Sequence, residues 1–204
     1  MLIEKYFSDL SPIQKTQFED FQRLFKEWNE KVNLVSRKDI DNFEINHLLH
    51  SLAIAKFIKF RPGTTILDLG SGGGLPGVPL AIMFPDVKFT LVDRTGKKMK
   101  AAQDMIDQLG LENVKAIHGD AKDLKDKYDF VVSRAVMPQP DLVKLAYPLI
   151  SNENKNSIAN GIIALKGGDL TSEISPVKKY TEIQELNKYF EEPFFDTKKI
   201  IYTC

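Results

Sequence analysis

The chain has 204 residues, of which 43% are hydrophobic and 27% charged, and its 28 basic and 28 acidic residues give a formal net charge of zero. This length suits a single buried core, and no apolar run approaches the roughly 20 residues that a bilayer requires. The zero net charge excludes an overall basic surface, so any contact with nucleic acid depends on local clusters of lysine and arginine.

Two amphipathic helices are predicted in the first part of the chain. Ser11 and Gln14 flank a proline in a capping-box pattern, and apolar residues follow at spacings of three and four up to Trp28. A second helix is predicted over about residues 43–60, with leucine, isoleucine and alanine on its inner side. We expect residues 1–60 to form a helical lid that packs on the core and does not fold independently.

From residue 61 onward, short apolar runs alternate with amphipathic stretches. The predicted strands are TTILDL, VKFTLVD, VKAIH, YDFVVS and GIIALK. The predicted helices cover about residues 79–84, 97–109 and 141–149, with a fourth near 171–180. This alternation predicts an α/β fold with a doubly wound, mostly parallel, Rossmann-like sheet over residues 61–204. Two late runs, TEIQELNKYF and TKKIIYTC, predict an antiparallel hairpin at the sheet edge.

The distribution of cysteine and histidine argues against disulfide and metal chemistry. Cys204 is the only cysteine, so an intramolecular disulfide cannot form. His47 and His50 are three residues apart, but no third ligand stands nearby to complete a zinc site. The first ten residues lack the basic-then-apolar layout of a secretory signal. We therefore expect a cytoplasmic, monomeric protein with no metal ion.

The stretch DLGSGGGLPG, residues 68–77, follows the first predicted strand and contains five glycines. At this place in such a sheet, a bare backbone lets a cofactor approach closely. Gly72, Gly74 and Gly77 match the pattern G-x-G-x-x-G, and Asp93 lies 21 residues after Gly72, as in dinucleotide-binding folds. The glycines alone therefore leave an NAD-dependent oxidoreductase open.

Three features favour S-adenosylmethionine over a dinucleotide. The carboxylate of Asp68 would repel a pyrophosphate but suits an ammonium and a sulfonium group. Pro76 and Pro79 leave fewer free N–H groups at the helix start for a phosphate. Acidic residues also stand at the ends of three successive predicted strands, at Asp68, Asp93 and Asp120. They suit the amino acid part, the ribose hydroxyls and the adenine amine of that cofactor in turn.

This arrangement resembles the class I S-adenosylmethionine-dependent methyltransferases. More narrowly, DLGSGGGLPGVPLAI, LVDRTGKK, YDFVVSRAV and ALKGG, with WNEKVNLVSRKD and NHLLHSLA upstream, resemble the bacterial 16S ribosomal RNA guanine-N7 methyltransferase G family, also called glucose-inhibited division protein B. The resemblance runs from about residue 25 to residue 168. It implies methyl transfer to N7 of a guanine, with 16S ribosomal RNA or a small-subunit assembly particle as the partner.

The resemblance also implies site residues. The family's cofactor contacts fall, residue by residue, on Gly70, Leu75, Ala121, Lys122 and Arg134. The cofactor-binding set that we predict is completed by Asp68, Gly72, Gly74, Asp93 and Asp120. Arg134 is the predicted catalytic residue, because a guanidinium suits guanine O6 and N7, a phosphate or the cofactor carboxylate. Guanine N7 has a lone pair and no proton, so in-line attack on the methyl group needs positioning but no general base.

Several roles have alternatives. We predict substrate contacts at Asn33, Arg37, His47 and Lys166. Asn33 alternatively braces the lid together with Trp28 and Asn29, and Lys166 is alternatively a solvated loop lysine. The acceptor is alternatively a small molecule, and a cofactor-binding regulator without catalysis is a further possibility. Residues 196–199 read DTKK where the family usually has an Arg-His pair, which leaves an RNA contact from the hairpin open.

For Arg134, the alternative to a catalytic role is a structural ion pair with Asp68 or Asp129.

Overall fold

Within residues 1–134 and 136–204, which the computed structural model describes, one sheet runs through the molecule. Its strands are β1 (Thr65–Leu69), β2 (Lys88–Asp93), β3 (Val114–His118), β4 (Phe130–Arg134), β5 (Gly161–Gly167), β6 (Thr181–Glu185) and β7 (Lys198–Thr203). The strand order is β3-β2-β1-β4-β5-β7-β6. The chain changes direction across the sheet between β1 and β4, which is where a doubly wound fold binds its ligand.

Strands β1 to β5 pair in parallel, as the alternation of strands and helices predicts. Strand β7 is antiparallel to both β5 and β6, so the expected hairpin lies at the sheet edge. Most of the residues of β1, β4 and β5 are buried, because helices cover both faces of the sheet. The predicted fold class is therefore confirmed.

The helices are α1 (Ile3–Tyr6), α2 (Pro12–Lys31), α3 (Arg37–Ile40), α4 (His50–Phe57), α5 (Gly77–Met83), α6 (Gly96–Gln108), α7 (Gln139–Ala146) and α8 (Thr171–Ile174). A π-helical turn, Glu44–Leu49, leads into α4, so the predicted continuous helix over residues 43–60 starts with wider turns and ends earlier. Helix α8 is shorter than expected because Pro176 cannot occupy a helix interior. Pro148 similarly converts the end of the predicted third helix into a 3₁₀ turn.

The N-terminal helices pack on one face of the sheet. The predicted capping box is present: Ser11 Oγ accepts the Gln14 N–H, and Gln14 Oε1 accepts the Ser11 N–H at 3.0 Å. Gln14 also donates to the Ile82 carbonyl of α5 at 2.9 Å, and Trp28 donates to Asp104 of α6 at 2.8 Å. Apolar side chains of α2 and α4 belong to the same buried cluster as those of β1 and β2.

A second, smaller cluster covers the other face of the sheet and includes α7. Among the helices described, none is both long and apolar enough to cross a membrane.

Candidate active site

The glycine-rich turn connects the end of β1 to α5 at the centre of the carboxyl edge of the sheet. Gly70, Gly72 and Gly74 all have positive φ angles, and that of Gly70 is +72°. A Cβ atom on Gly70 would lie 2.6 Å from the Val136 side chain, so a larger residue is excluded there both by conformation and by space. Leu75 is buried in the apolar cluster below the turn, and its backbone N–H donates to the Ser71 carbonyl at 3.0 Å.

Asp68 lies under this turn and is fully buried. Its Oδ2 accepts the Gly77 N–H at 2.7 Å, whereas its Oδ1 has no hydrogen-bond partner among the described residues. Burial raises the pKa of Asp68 to about 7, because the charged carboxylate has lost its hydration. The neighbouring Ser71 hydroxyl and the Gly77 N–H act against this rise, because they favour the charged carboxylate.

Asp93 and Asp120 stand after β2 and β3. Asp93 accepts the Gly72 N–H at 2.9 Å through Oδ2 and the Thr95 N–H at 2.8 Å through Oδ1, so it ties the end of β2 to the glycine turn. Asp120 accepts the Lys122 N–H at 3.0 Å and forms an ion pair of 2.8 Å with Arg94. The backbone N–H of Lys122 contributes most to lowering the pKa of Asp120.

A cavity of about 360 Å³ opens at these strand ends. Its lining includes Gly70, Asp93, Asp120, Ala121, Val136 and Met137. Lys122 lines a neighbouring cavity of about 690 Å³ that shares Ala121 with the first. A cavity of about 720 Å³ lies at the opposite ends of the strands, where none of the predicted site residues is found. The structure thus brings Gly70, Asp93, Asp120 and Ala121 together around one small cavity.

Arg134 ends β4, which is hydrogen bonded to β1. Its Nη1 donates to Nδ1 of His47 at 2.7 Å and approaches the Asn46 carbonyl at 3.5 Å. A guanidinium only donates, so His47 Nδ1 must accept and the imidazole is neutral with its proton on Nε2. Burial and the neighbouring Arg134 charge lower the pKa of His47 to about 4, while burial lowers the pKa of Arg134 to about 10. Both values keep Arg134 charged and His47 neutral at pH 7.

Within the described residues, Arg134 forms no close ion pair with Asp68 or Asp129, the two partners that the sequence suggests. Asp129 lies at the other end of β4, where it accepts the Thr65 N–H at 2.8 Å. Asp68 is near enough to favour the charged form of Arg134 but is not paired with it. The guanidinium is therefore held by a neutral imidazole on the side of the N-terminal helices.

His50 is a residue whose place in this cluster the sequence did not reveal. It is buried against Phe194 and Phe195, and its Nε2 has no partner among the described residues. Burial holds the pKa of His50 well below its usual value, with Arg134 acting in the same direction. The spacing of three residues between His47 and His50 is the signal in the sequence that places both imidazoles on one side of a helical turn. In residues 1–134 and 136–204, no three metal-ligating side chains come together.

The other predicted substrate contacts lie near the end of α2 and in β5. Asn29 Oδ1 accepts the N–H groups of Leu34 and Val35, both at 2.9 Å, so Asn29 braces the turn after α2. Asn33 borders a shallow polar cavity at this turn. Lys166 lies in β5, is nearly buried and forms an ion pair with Glu173, so the alternative of a solvated loop lysine is wrong. The side chain of Arg37 lies outside the described part. RNA contact stays a prediction for Asn33, Arg37, His47 and Lys166.

A comparison with protein families identifies the chain's relatives. The family described as rRNA small subunit methyltransferase G matches residues 14–200. Ribosomal RNA small subunit methyltransferase G of Bacteroides thetaiotaomicron is 51% identical over 202 residues, which cover 99% of this chain and 98% of that protein. The protein of the same name from Phocaeicola vulgatus is 53% identical over 201 residues, which cover 98% and 96% of the two chains.

Solved structures share the fold. Precorrin-6y C5,15-methyltransferase from Geobacter metallireducens has a TM-score of 0.58 at 11% identity, with 85% of this chain and 91% of that chain covered. A SAM-dependent methyltransferase from Aquifex aeolicus also has a TM-score of 0.58, at 13% identity, with coverages of 83% and 98%. At such low sequence identity, the structural similarity establishes the fold alone, whereas the family match over residues 14–200 establishes the family. The chain belongs to the rRNA small subunit methyltransferase G family.

Proposed function

We propose that this protein transfers a methyl group from S-adenosylmethionine to N7 of a guanine in the 16S ribosomal RNA of the small subunit. The observation that supports the proposal most directly is the family match over residues 14–200. Two relatives at 51% and 53% identity have names that specify small-subunit ribosomal RNA as the substrate. This match favours RNA over the small-molecule acceptor, and it removes the basis for an NAD-dependent oxidoreductase or a regulator without catalysis.

The residues at the carboxyl edge of the sheet fit the cofactor. The unpartnered Oδ1 of Asp68 suits the methionine ammonium, and Gly70, Gly72 and Gly74 leave the backbone bare beside it. Asp93 suits the ribose hydroxyls, and Asp120 and Ala121 line the cavity where adenine would lie. Leu75 of the glycine turn and Lys122 of the neighbouring cavity are the proposed cofactor contacts at the margins of this site. When bound, the cofactor supplies a methyl group made electrophilic by its attachment to a sulfonium.

The proposed catalysis depends on positioning and charge. Guanine N7 attacks the methyl carbon in line with the sulfur, so the N7–carbon bond forms as the sulfur–carbon bond breaks and no proton moves. The guanidinium of Arg134 has further N–H groups beyond the one that His47 accepts, and these suit guanine O6 or a phosphate. No metal ion is needed for this step, and we propose that a single chain performs it.

We also propose that residues 1–60 act as a lid that is inseparable from residues 61–204. A Cβ atom on Gly73 would lie 3.0 Å from both Phe25 and Leu34, so the N-terminal segment packs directly on the cofactor turn. His47 of the same segment holds Arg134. Packing at both points supports a role in closing the site over its substrates.

The experiment that tests the proposed function is mapping of the transferred methyl group. Purified protein is incubated with isotope-labelled S-adenosylmethionine and 16S ribosomal RNA from cells that lack the modification, either deproteinised or in small-subunit particles. We expect label in one guanine, and cleavage of the RNA there after reduction and aniline treatment, because N7 methylation makes the base cationic. Binding of the cofactor with no label in either RNA, or label at another atom, would contradict the proposal.

A further inference from the structure

Lys166 lies near the end of β5 and is withdrawn from solvent. Its side chain is only 8% exposed, and its Nζ donates to the Met137 carbonyl at 2.7 Å while pairing with Oε1 of Glu173. A lysine free to bind an RNA phosphate would keep its ammonium in water. Here the ammonium instead connects β5 to the segment that follows β4.

Glu173 holds the same segment at a second point. Its Oε1 accepts the Gln139 N–H at 2.7 Å, in addition to pairing with Lys166. Gln139 is fully buried, and its side chain donates to Thr203 of β7 at 3.1 Å. Met137 and Gln139 are thus held from β5, α8 and β7 by bonds that are buried or partly buried.

The fixed segment forms one wall of the cavity of about 360 Å³ at the strand ends. The Val136 side chain would lie 2.6 Å from a Cβ atom placed on Gly70, so Val136 packs directly on the glycine turn. Met137 lines the cavity beside it. Neither residue has a charged or hydrogen-bonding side chain that would hold it there. The position of this wall therefore depends on the backbone contacts made by Lys166 and Glu173.

We propose that Lys166 and Glu173 are positioning residues for the cofactor cavity, and that their ion pair holds Val136 and Met137 against the glycine turn. The inference rests on the proposed function only for the identity of the ligand. Lys166 is 8% exposed and Glu173 26%, so removing one member leaves the other charge uncompensated in a partly buried place, and the segment loses both of its anchors together. Lys166 then affects the reaction without touching RNA.

The test compares Lys166→Met, Glu173→Gln and the double variant by calorimetric titration with S-adenosylhomocysteine. We expect each single change to weaken binding about tenfold and the double variant to bind no more weakly than the worse single one, because the two residues act as a unit. In methyl-transfer assays, KM for the cofactor should rise by a similar factor, while kcat at saturating cofactor stays within about twofold. Lys166→Arg should restore most of the affinity, since it keeps the charge.

Two exposed residues of the same types provide matched controls. The exposed residues Lys188 and Glu185 give Lys188→Met and Glu185→Gln, which should bind like the unchanged protein. If Lys166→Met weakens RNA binding at unchanged cofactor affinity and Glu173→Gln weakens neither, Lys166 is an RNA contact and the inference is overturned. Thermal melts identify any variant that does not fold, and Lys166→Arg then supplies the comparison. Failure of the unchanged protein to bind S-adenosylhomocysteine would overturn the cofactor assignment itself.

Discussion

The two halves of the carboxyl edge are built differently. On the side of β1, β2 and β3, carboxylates accept N–H groups of nearby loops, as Asp93 does from Thr95 two residues away. At the end of β4, by contrast, the cation Arg134 is held by a residue distant in the chain, His47, 87 positions earlier. The acidic side is thus organised by short connections and the basic side by tertiary packing. Substitutions on the two sides should therefore fail in different ways.

The largest effect is expected at Arg134. Arg134→Met removes the charge that we assign to the reacting side and should lower kcat/KM for methyl transfer about 100-fold, since charge-assisted hydrogen bonds contribute about 1.5–3 kcal/mol each. Cofactor affinity should change less than the rate. The measurement is single-turnover transfer of labelled methyl to 16S ribosomal RNA.

Arg23→Met on the exposed surface of α2 is the matched control, because the ion-pair partners of Arg23 among the described residues, Asp20 and Glu27, belong to its own helix. It should leave the rate unchanged. A rate for Arg134→Met within about threefold of the unchanged protein would remove Arg134 from the catalytic site.

Substitutions on the acidic side should weaken binding of the cofactor. Asp93→Ala removes two acceptors for backbone N–H groups and the proposed ribose contact. We expect the dissociation constant of S-adenosylhomocysteine to rise about 10- to 100-fold, from about 1.5–3 kcal/mol for a charged hydrogen bond. Calorimetric titration measures it, with Asp86→Ala at the opposite end of the sheet as the control. Equal affinity in both variants would reassign the ribose contact.

The contrast between the two sides also explains which parts of the site could be predicted from the sequence. The turn from Asp68 to Gly77 lies within one short segment, so its spacing predicted the ligand side of the sheet, and the alternation of apolar runs and amphipathic stretches predicted the α/β fold around it. The partners of Arg134 and Lys166 depend on how the N-terminal helices and α8 pack, which no local spacing encodes. For that reason the acceptor role of His47, the burial of His50 and the Lys166–Glu173 pair emerged only from the structure. Helix ends were mispredicted where Pro148 and Pro176 interrupt the amphipathic pattern.

A smaller effect, specific to the acidic side, concerns pH. Because burial raises the pKa of Asp68 to about 7 in the protein without cofactor, the carboxyl is increasingly protonated below pH 7 and loses its attraction for the cofactor ammonium. Affinity for S-adenosylhomocysteine should therefore fall roughly tenfold between pH 8 and pH 6, and binding near pH 7 should release protons. Titrations in buffers of different ionisation enthalpy measure both quantities. Asp68→Asn should abolish the pH dependence; a slope that persists in this variant would assign it to another group.

The smallest effect tests the connection between the lid and the basic side. His47→Leu leaves the Arg134 N–H without its imidazole acceptor, and we expect kcat/KM to fall roughly two- to tenfold, because the guanidinium keeps its charge and loses only one of the contacts that position it. His47→Gln retains an acceptor oxygen and should lose less. Because the pKa of His47 is about 4, its protonation should not affect the rate between pH 6 and pH 8. If His47 instead contacts RNA directly, both variants should weaken RNA binding equally, and the difference between glutamine and leucine should vanish.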